Sequence, residues 1–262
     1  MTRQRLKDLA SLSRRKGRRR LSAFVVEGVR SVEAAVGAGA PLVEIWVAEG
    51  LDAPRVAALA DRAEVPVRRA PERDLERIGD AQTSQGVLAV SRSVVTEAAP
   101  AAGPVLLLDG VQDPGNVGAL IRTAAWFGVS AVVLDTYSAD PESPKAVRAS
   151  MGGIWDVALA RVPSLVPVLD GLAAAGVEAW GADLSGTPVE AWSPGSDAAL
   201  VMGSEGHGLS PLVAAWLRQR AGERFVRIGA GPRHRAAGGR ARGVESLNVA
   251  VAGGVLLSRW LG

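Results

Sequence analysis

The sequence predicts an α/β protein whose larger part is a mostly parallel sheet covered by helices on both faces, preceded by a smaller α/β unit. Three observations predict it. Short apolar runs rich in Val, Leu and Ile alternate with helical stretches along the whole chain, the pattern of sheet-and-helix layers. In the C-terminal part these runs are apolar at nearly every position, as strands buried on both faces are. Between two differently patterned regions lies VTEAAPAAGP, a Pro-, Ala- and Gly-rich stretch with little to pack. Domains are therefore expected at 1–94 and 104–262, with a linker at 95–103.

Taken in order, the chain opens with a basic arm in which residues 1–20 hold nine Arg or Lys against Asp8 alone. Such a block either attracts phosphate backbones without reading sequence or forms a solvated face. In the first region, β-rich runs at Ala23 to Glu27, Val43 to Ala48, Val65 to Arg69 and Gly86 to Val94 alternate with helical patterns near Val29 to Val36, Pro54 to Arg62 and Glu72 to Ile78. In the second, strands are expected at Val105 to Leu108, Ala131 to Leu134, Val177 to Gly181, Leu200 to Gly203 and Phe225 to Ile228. The intervening helices are Val117 to Phe127, Pro144 to Ala149, Leu165 to Ala175, Pro211 to Arg220 and Leu247 to Trp260, the first and third closed by Gly128 and Gly176. In parallel sheets of this kind ligands sit beyond the carboxyl ends of the strands, and the polar motifs fall there.

Composition narrows the chemistry. With 262 residues, 48% hydrophobic content and 22% charge, the chain reads as an ordinary globular protein. It holds no Cys, which removes disulfides, thiolate nucleophiles and Cys-ligated metals and suits the reducing cytoplasm. The apolar run Val249 to Leu257 is too short to span a bilayer, and Glu27 and Arg30 interrupt the one candidate for a signal-peptide core. A second basic cluster, Arg227, Arg233, His234, Arg235, Arg240 and Arg242, adds to the phosphate-binding pattern.

Three motifs carry the candidate site. The first, LLLDGVQDPGNVGALIRTAAWFG, runs from Leu106 to Gly128 as a strand, a Gly- and Pro-rich turn and a helix. Its glycines match neither the G-x-G-x-x-G nor the G-K-[ST] phosphate loops. Arg122 lies on the helix between small residues, Gly118, Ala119 and Ala125, which would leave room for substrate; a surface salt bridge is the plain alternative. Asn occurs only at 116 and 248, both at strand-to-helix junctions, where the amide positions a hydroxyl or carbonyl or simply caps a helix. The second motif, LVMGSEGHGLSP, places the carboxylate of Glu205 in a loop that starts at Gly203, with His207 a bystander lacking an orienting partner. The third, ESLNVAVAGGVLL, begins at Glu245 and offers Ser246 as a helix cap, with Asn248 at the mouth of an apolar, close-packing helix.

N-x-G-x-x-x-R, then M-G-S-E-G-x-G, then S-L-N-V-x-V-A resembles the ordered pattern of the SpoU, or TrmH-type, RNA 2′-O-ribose methyltransferases, and the likeness extends from Leu106 to Trp260. The segment FVVEGVRSVEAAV is similar to the start of the ribosomal-protein-like substrate-binding domain that precedes the catalytic domain in many members. The resemblance implies a SPOUT fold with a C-terminal trefoil knot, a homodimer, and methyl transfer from S-adenosylmethionine to ribosomal or transfer RNA. It assigns Asn116, Arg122, Glu205, Ser246 and Asn248 to the reaction, and donor contacts to the loops at Gly203, Ile228 and Leu247, largely through backbone. A sulfonium donor needs no metal. One departure stands out: the short loop usual after the strand ending at Ile228 is replaced by GAGPRHRAAGGRARGVE, whose arginines are expected to clamp RNA or to form an inert bulge. A catalytically silent RNA- or ribosome-binding protein is the alternative that the basic clusters and this altered loop support.

Overall fold

The computed structural model describes residues 1–52, 54–80, 84–98, 102–222, 224–230 and 246–262. Eleven strands and eleven α-helices occur among them, arranged as two sheets. In chain order the first region comprises α1 (Arg3–Ser11), α2 (Arg15–Leu21), β1 (Ala23–Glu27), α3 (Val29–Gly37), β2 (Leu42–Ala48), α4 (Pro54–Ala63), β3 (Val67–Ala70), α5 (Glu72–Ile78) and β4 (Val87–Arg92). Its four strands form a mixed sheet in the order β1-β4-β2-β3, with β4 antiparallel to both neighbours and β2 parallel to β3.

The second region follows as β5 (Val95–Thr96), β6 (Val105–Asp109), α6 (Pro114–Trp126), β7 (Ala131–Asp135), α7 (Pro144–Ser150), α8 (Gly153–Asp156), β8 (Ala158–Val162) and α9 (Val166–Ala174). Then come β9 (Ala179–Pro188), β10 (Ala199–Gly203), α10 (Pro211–Arg220), β11 (Phe225–Arg227) and α11 (Val249–Leu261). The sheet order is β11-β9-β10-β6-β7-β8-β5, and every pairing is parallel. Strands β6, β7 and β10 are buried at every residue, as expected for strands covered on both faces. Among the described residues, no helix is long and apolar enough to cross a membrane.

Several elements depart from the sequence reading. The basic arm is two helices: the apolar side of α1 buries Leu9, Leu12 is buried beside it, and α2 buries Arg18. The expected linker begins with β5, because Val95 and Thr96 find backbone partners on Leu159 and Ala160 of β8. Strand β8 itself was unassigned in the sequence, its Ala-rich run carrying little β-propensity. Strand β9 runs past Gly181 to Pro188, and its register with β11 jumps between Phe225 and Val226.

The apolar cores of the two regions are continuous. Phe24, Val26 and Ile45 of the first sheet belong to the same buried cluster as Leu106 of β6, Ile121 of α6 and Ile154 of α8. At the seam, Phe24 stacks on Trp155 with ring centroids 6.2 Å apart. Polar contacts reinforce it: Arg18 pairs with Asp140 at 2.6 Å, and Arg148 reaches Glu27 at 3.3 Å and Asp80 at 3.2 Å. Glu142 accepts from the Ser93 hydroxyl and the Val94 amide.

Candidate active site

The site is built where three loops leave the carboxyl side of the parallel sheet. The first follows β6. Asp113 caps α6, its carboxylate accepting from the Asn116 amide at 3.0 Å, and Pro114 opens the helix where no N–H is needed. Lys145 pairs with Asp113 at 2.7 Å and holds its carboxyl below the usual carboxylate range. Asn116 therefore is not the cap, and its side chain is free to face the other loops.

The second loop follows β10. Gly203 ends the strand with backbone of the returning loop packed against it: a Cβ there would lie 2.2 Å from the Gly208 carbonyl carbon. Ser204 and Gly208 exchange backbone hydrogen bonds, closing a tight turn that projects Glu205. The third is the mouth of α11, where Asn248, rather than the expected Ser246, is the N-cap; its oxygen accepts from Ala250 at 2.9 Å and Val251 at 3.3 Å. The capping residue must be followed immediately by helical backbone, and α11 starts at Val249, so Ser246 sits too early.

Side-chain amides join all three loops. Asn248 Nδ2 donates to Asn116 Oδ1 at 3.0 Å, and Asn116 Nδ2 donates to Glu205 Oε1. Each asparagine thus uses both ends of its amide, and Glu205 terminates the chain. Arg122 lies further along α6, exposed and with no hydrogen bond or ion pair among the described residues. The small residues around it serve another purpose than the one expected: a Cβ on Gly118 would meet the Ala146 carbonyl at 2.3 Å, and Ala125 packs near Gly153, so they let α7 and α8 close on α6. Ser246 and Leu247 are exposed ahead of Asn248, while Ile228 lies just beyond β11, two strands from β10. The arginine-rich segment 231–245, with Arg233, Arg235, Arg240 and Arg242, lies outside the described residues.

Sequence reasoning missed the residues that brace these loops. Asp109, buried at the end of β6, accepts from the Ser210 amide at 2.6 Å, tying the first motif to the second. Burial pushes its carboxyl up. Asp135 and Ser138 do the same for the β6–α6 turn, through Gly110 and Val111. A carboxylate ending an otherwise apolar strand was the available signal. Among the described residues, no cluster of three or more His, Asp or Glu is placed to hold a metal ion.

A parallel sheet with Gly-rich loops, a carboxylate and two amides hydrogen-bonded across its carboxyl edge defines an α/β ligand-binding enzyme class. Comparison with known proteins narrows it. Residues 103–222 match the SpoU rRNA Methylase family, and residues 3–89 match the MRM3-like substrate binding domain. The chain is 32% identical over 257 residues to the 23S rRNA (guanosine(2553)-2′-O)-methyltransferase RlmP of Bacillus subtilis, covering 97% of this chain and 94% of that protein. It superimposes on a TrmH-family protein of Porphyromonas gingivalis with a TM-score of 0.82 at 37% identity, covering 99% and 98% of the two chains. The SpoU methyltransferase AviRb of Streptomyces viridochromogenes, in complex with AdoMet, gives a TM-score of 0.81 at 26% identity, covering 98% and 97%. The chain belongs to the SpoU methyltransferase family.

Proposed function

We propose that this chain transfers the methyl group of S-adenosylmethionine to a ribose 2′-hydroxyl of structured RNA, with ribosomal RNA as the preferred substrate. The observation that carries the reading is the chain of hydrogen bonds Asn248–Asn116–Glu205, which joins the three motifs at the mouth of the helix that carries Arg122, in a protein akin to a 23S rRNA 2′-O-methyltransferase.

The residues present fit the donor. Gly206 has open space where a side chain would stand, and at Gly110, φ +70°, a Cβ would meet nothing nearer than Ser204 Cβ at 3.9 Å, so backbone at both loops is little covered by neighbouring atoms. Leu247 is exposed and Ile228 half-buried, which offers apolar surface to a flat adenine. Gly203, Ile228 and Leu247 would hold the donor, which when bound supplies an electrophilic methyl carbon.

The chain's own residues then act on the RNA. Arg122 holds the phosphate next to the target ribose in a planar fork and polarises the hydroxyl, which lowers the cost of removing its proton. Asn116, Glu205 and Asn248 fix the two helix mouths relative to each other, so hydroxyl and methyl carbon meet in line. Ser246, exposed at the same mouth, supplies a further hydroxyl toward the ribose.

The same reading takes residues 1–94 as the substrate-binding domain, 95–103 as a connection and 104–262 as the catalytic domain, working in the cytoplasm. It takes the C-terminal segment to be threaded as a trefoil knot, which fits the packing of α11 against α6 and β10. Incubation with labelled S-adenosylmethionine and unmodified RNA, followed by alkaline hydrolysis, should yield labelled alkali-resistant dinucleotides. Donor binding without transfer into any RNA would assign the chain a binding role instead.

A further inference from the structure

The sequence holds one tyrosine, Tyr137, and it stands 77% exposed in the loop between β7 and α7. An exposed aromatic in a loop usually has little holding it, but this loop is clamped. Arg161 of β8 donates to the carbonyls of Thr136 at 3.0 Å, Ser138 at 2.6 Å and Ala139 at 3.3 Å, bracketing Tyr137 on both sides. From the inside, Asp135 accepts from the Ser138 amide at 2.7 Å. The loop is also fastened to the β6–α6 loop of the candidate site. Val111 N donates to Ser138 Oγ at 3.0 Å, Ala139 N donates to Val111 O at 2.8 Å, and Gly110 N donates to Asp135 at 3.1 Å.

The basic arm arrives at the same place. Buried Arg18 bonds Asp140 through Nε at 3.1 Å and Nη2 at 2.6 Å, so α2 is docked just past Tyr137. Arg15 and Arg19, four residues apart, share a face of that helix and are exposed. Burial, and then the nearby charges of Arg15 and Arg19, hold Arg161 below its ordinary pKa, in keeping with this proximity. The acids in the neighbourhood are committed: Asp140 to Arg18, Asp135 to backbone amides. A ring carried on a clamped loop, with two guanidinium groups on the adjoining helix that have no ion pair among the described residues, is a combination that holds single-stranded nucleic acid, the ring through a base face and the cations through phosphates.

We propose that Tyr137, with Arg15 and Arg19, forms a second RNA contact at the carboxyl edge of the sheet, where the ring stacks on an unpaired base flanking the target nucleotide and the arginines take its phosphates. The inference rests on the methyltransferase reading for its substrate but adds a positioning device outside the three motifs. It divides the work in two: the motif residues act at the ribose, whereas this strip decides which nucleotide arrives there.

The test measures affinity for an unmodified large-subunit ribosomal RNA transcript across a salt series, together with KM, kcat and donor affinity. Tyr137→Ala should weaken RNA binding and raise KM about tenfold, with kcat and donor affinity unchanged. Tyr137→Phe, which keeps the ring, should behave as wild type, and Tyr137→Leu should resemble the alanine variant. Arg15→Ala with Arg19→Ala should flatten the slope of log affinity against log salt by roughly 1.4, the loss of two single-strand phosphate contacts. Wild-type affinity in Tyr137→Ala, or an equal defect in Tyr137→Phe, overturns the stacking role; an unchanged salt slope overturns the phosphate contacts. Because affinity is read independently of turnover, a wild-type chain that bound RNA but transferred no methyl group would sink the functional reading and still leave the strip judged by its own variants.

Discussion

At the scale of single residues, the scarcity of Asn was the most useful signal, because it isolated the two amides that the structure hydrogen-bonds to each other. Glu205 joined them through its motif. Roles that depend on local backbone were less legible: whether Ser246 or Asn248 caps α11 is decided by where helical angles begin, which residue type alone does not say. Asn248→Ala should cost about 1 kcal/mol of stability through the lost cap, measurable by urea denaturation, and should lower methyl transfer further by releasing Asn116. Arg122, exposed and without a hydrogen bond or ion pair among the described residues, can be removed with little cost to the fold. Arg122→Ala should abolish most transfer while leaving donor affinity nearly intact, and Arg122→Lys should rescue it only in part, since the planar fork is lost. Near-normal turnover in Arg122→Ala would remove it from the reaction.

At the scale of elements, long apolar strands and well-punctuated helices were readable within a few residues; α5 and α10 begin and end where the pattern places them. The elements that escaped have weak local signals and are fixed by partners distant in sequence. Strand β5 exists because β8 presents a free edge, and α2 because Arg18 reaches Asp140. Glu142, which holds the backbone just before β5, gives this junction a pH signature. Burial, opposed by its bonds to Ser93 and Val94 and reinforced by Asp140, raises its pKa. A carboxyl group raised in the folded state takes up a proton more readily than when unfolded. Its contribution is a cost at neutral pH, relieved as pH falls through the raised value toward the ordinary 4.5. Glu142→Gln should therefore lose that gain on mild acidification while matching or exceeding wild type at neutral pH, as thermal melts across the pH range would show.

At the scale of the whole molecule, the alternation of strands and helices gave the class of fold, but the single core shared by the two regions was invisible, since no pattern within either region records what it packs against. Among the described residues, two packed helices leave apolar side chains uncovered. On α11, Val251 is 54% and Val255 40% exposed one turn apart, and on its neighbour α6, Trp126 is 84% exposed. We expect a homodimer that buries this face, with a sedimentation coefficient that falls only on strong dilution; Val251→Glu should yield monomers, and a concentration-independent wild-type monomer would contradict the assignment. The seam between the two regions carries a different consequence, for anyone who would treat the halves as interchangeable modules. Stacked Phe24 and Trp155, and the ion pairs Arg18–Asp140 and Arg148–Glu27, mean that residues 104–262 expressed alone would bare an aromatic face and strand Asp140, Glu142 and Arg148 without their counterparts. Grafting a relative's N-terminal region onto this C-terminal half should thus succeed only when the donor half brings matching residues at these few positions, so compatibility would be inherited as a set and not residue by residue.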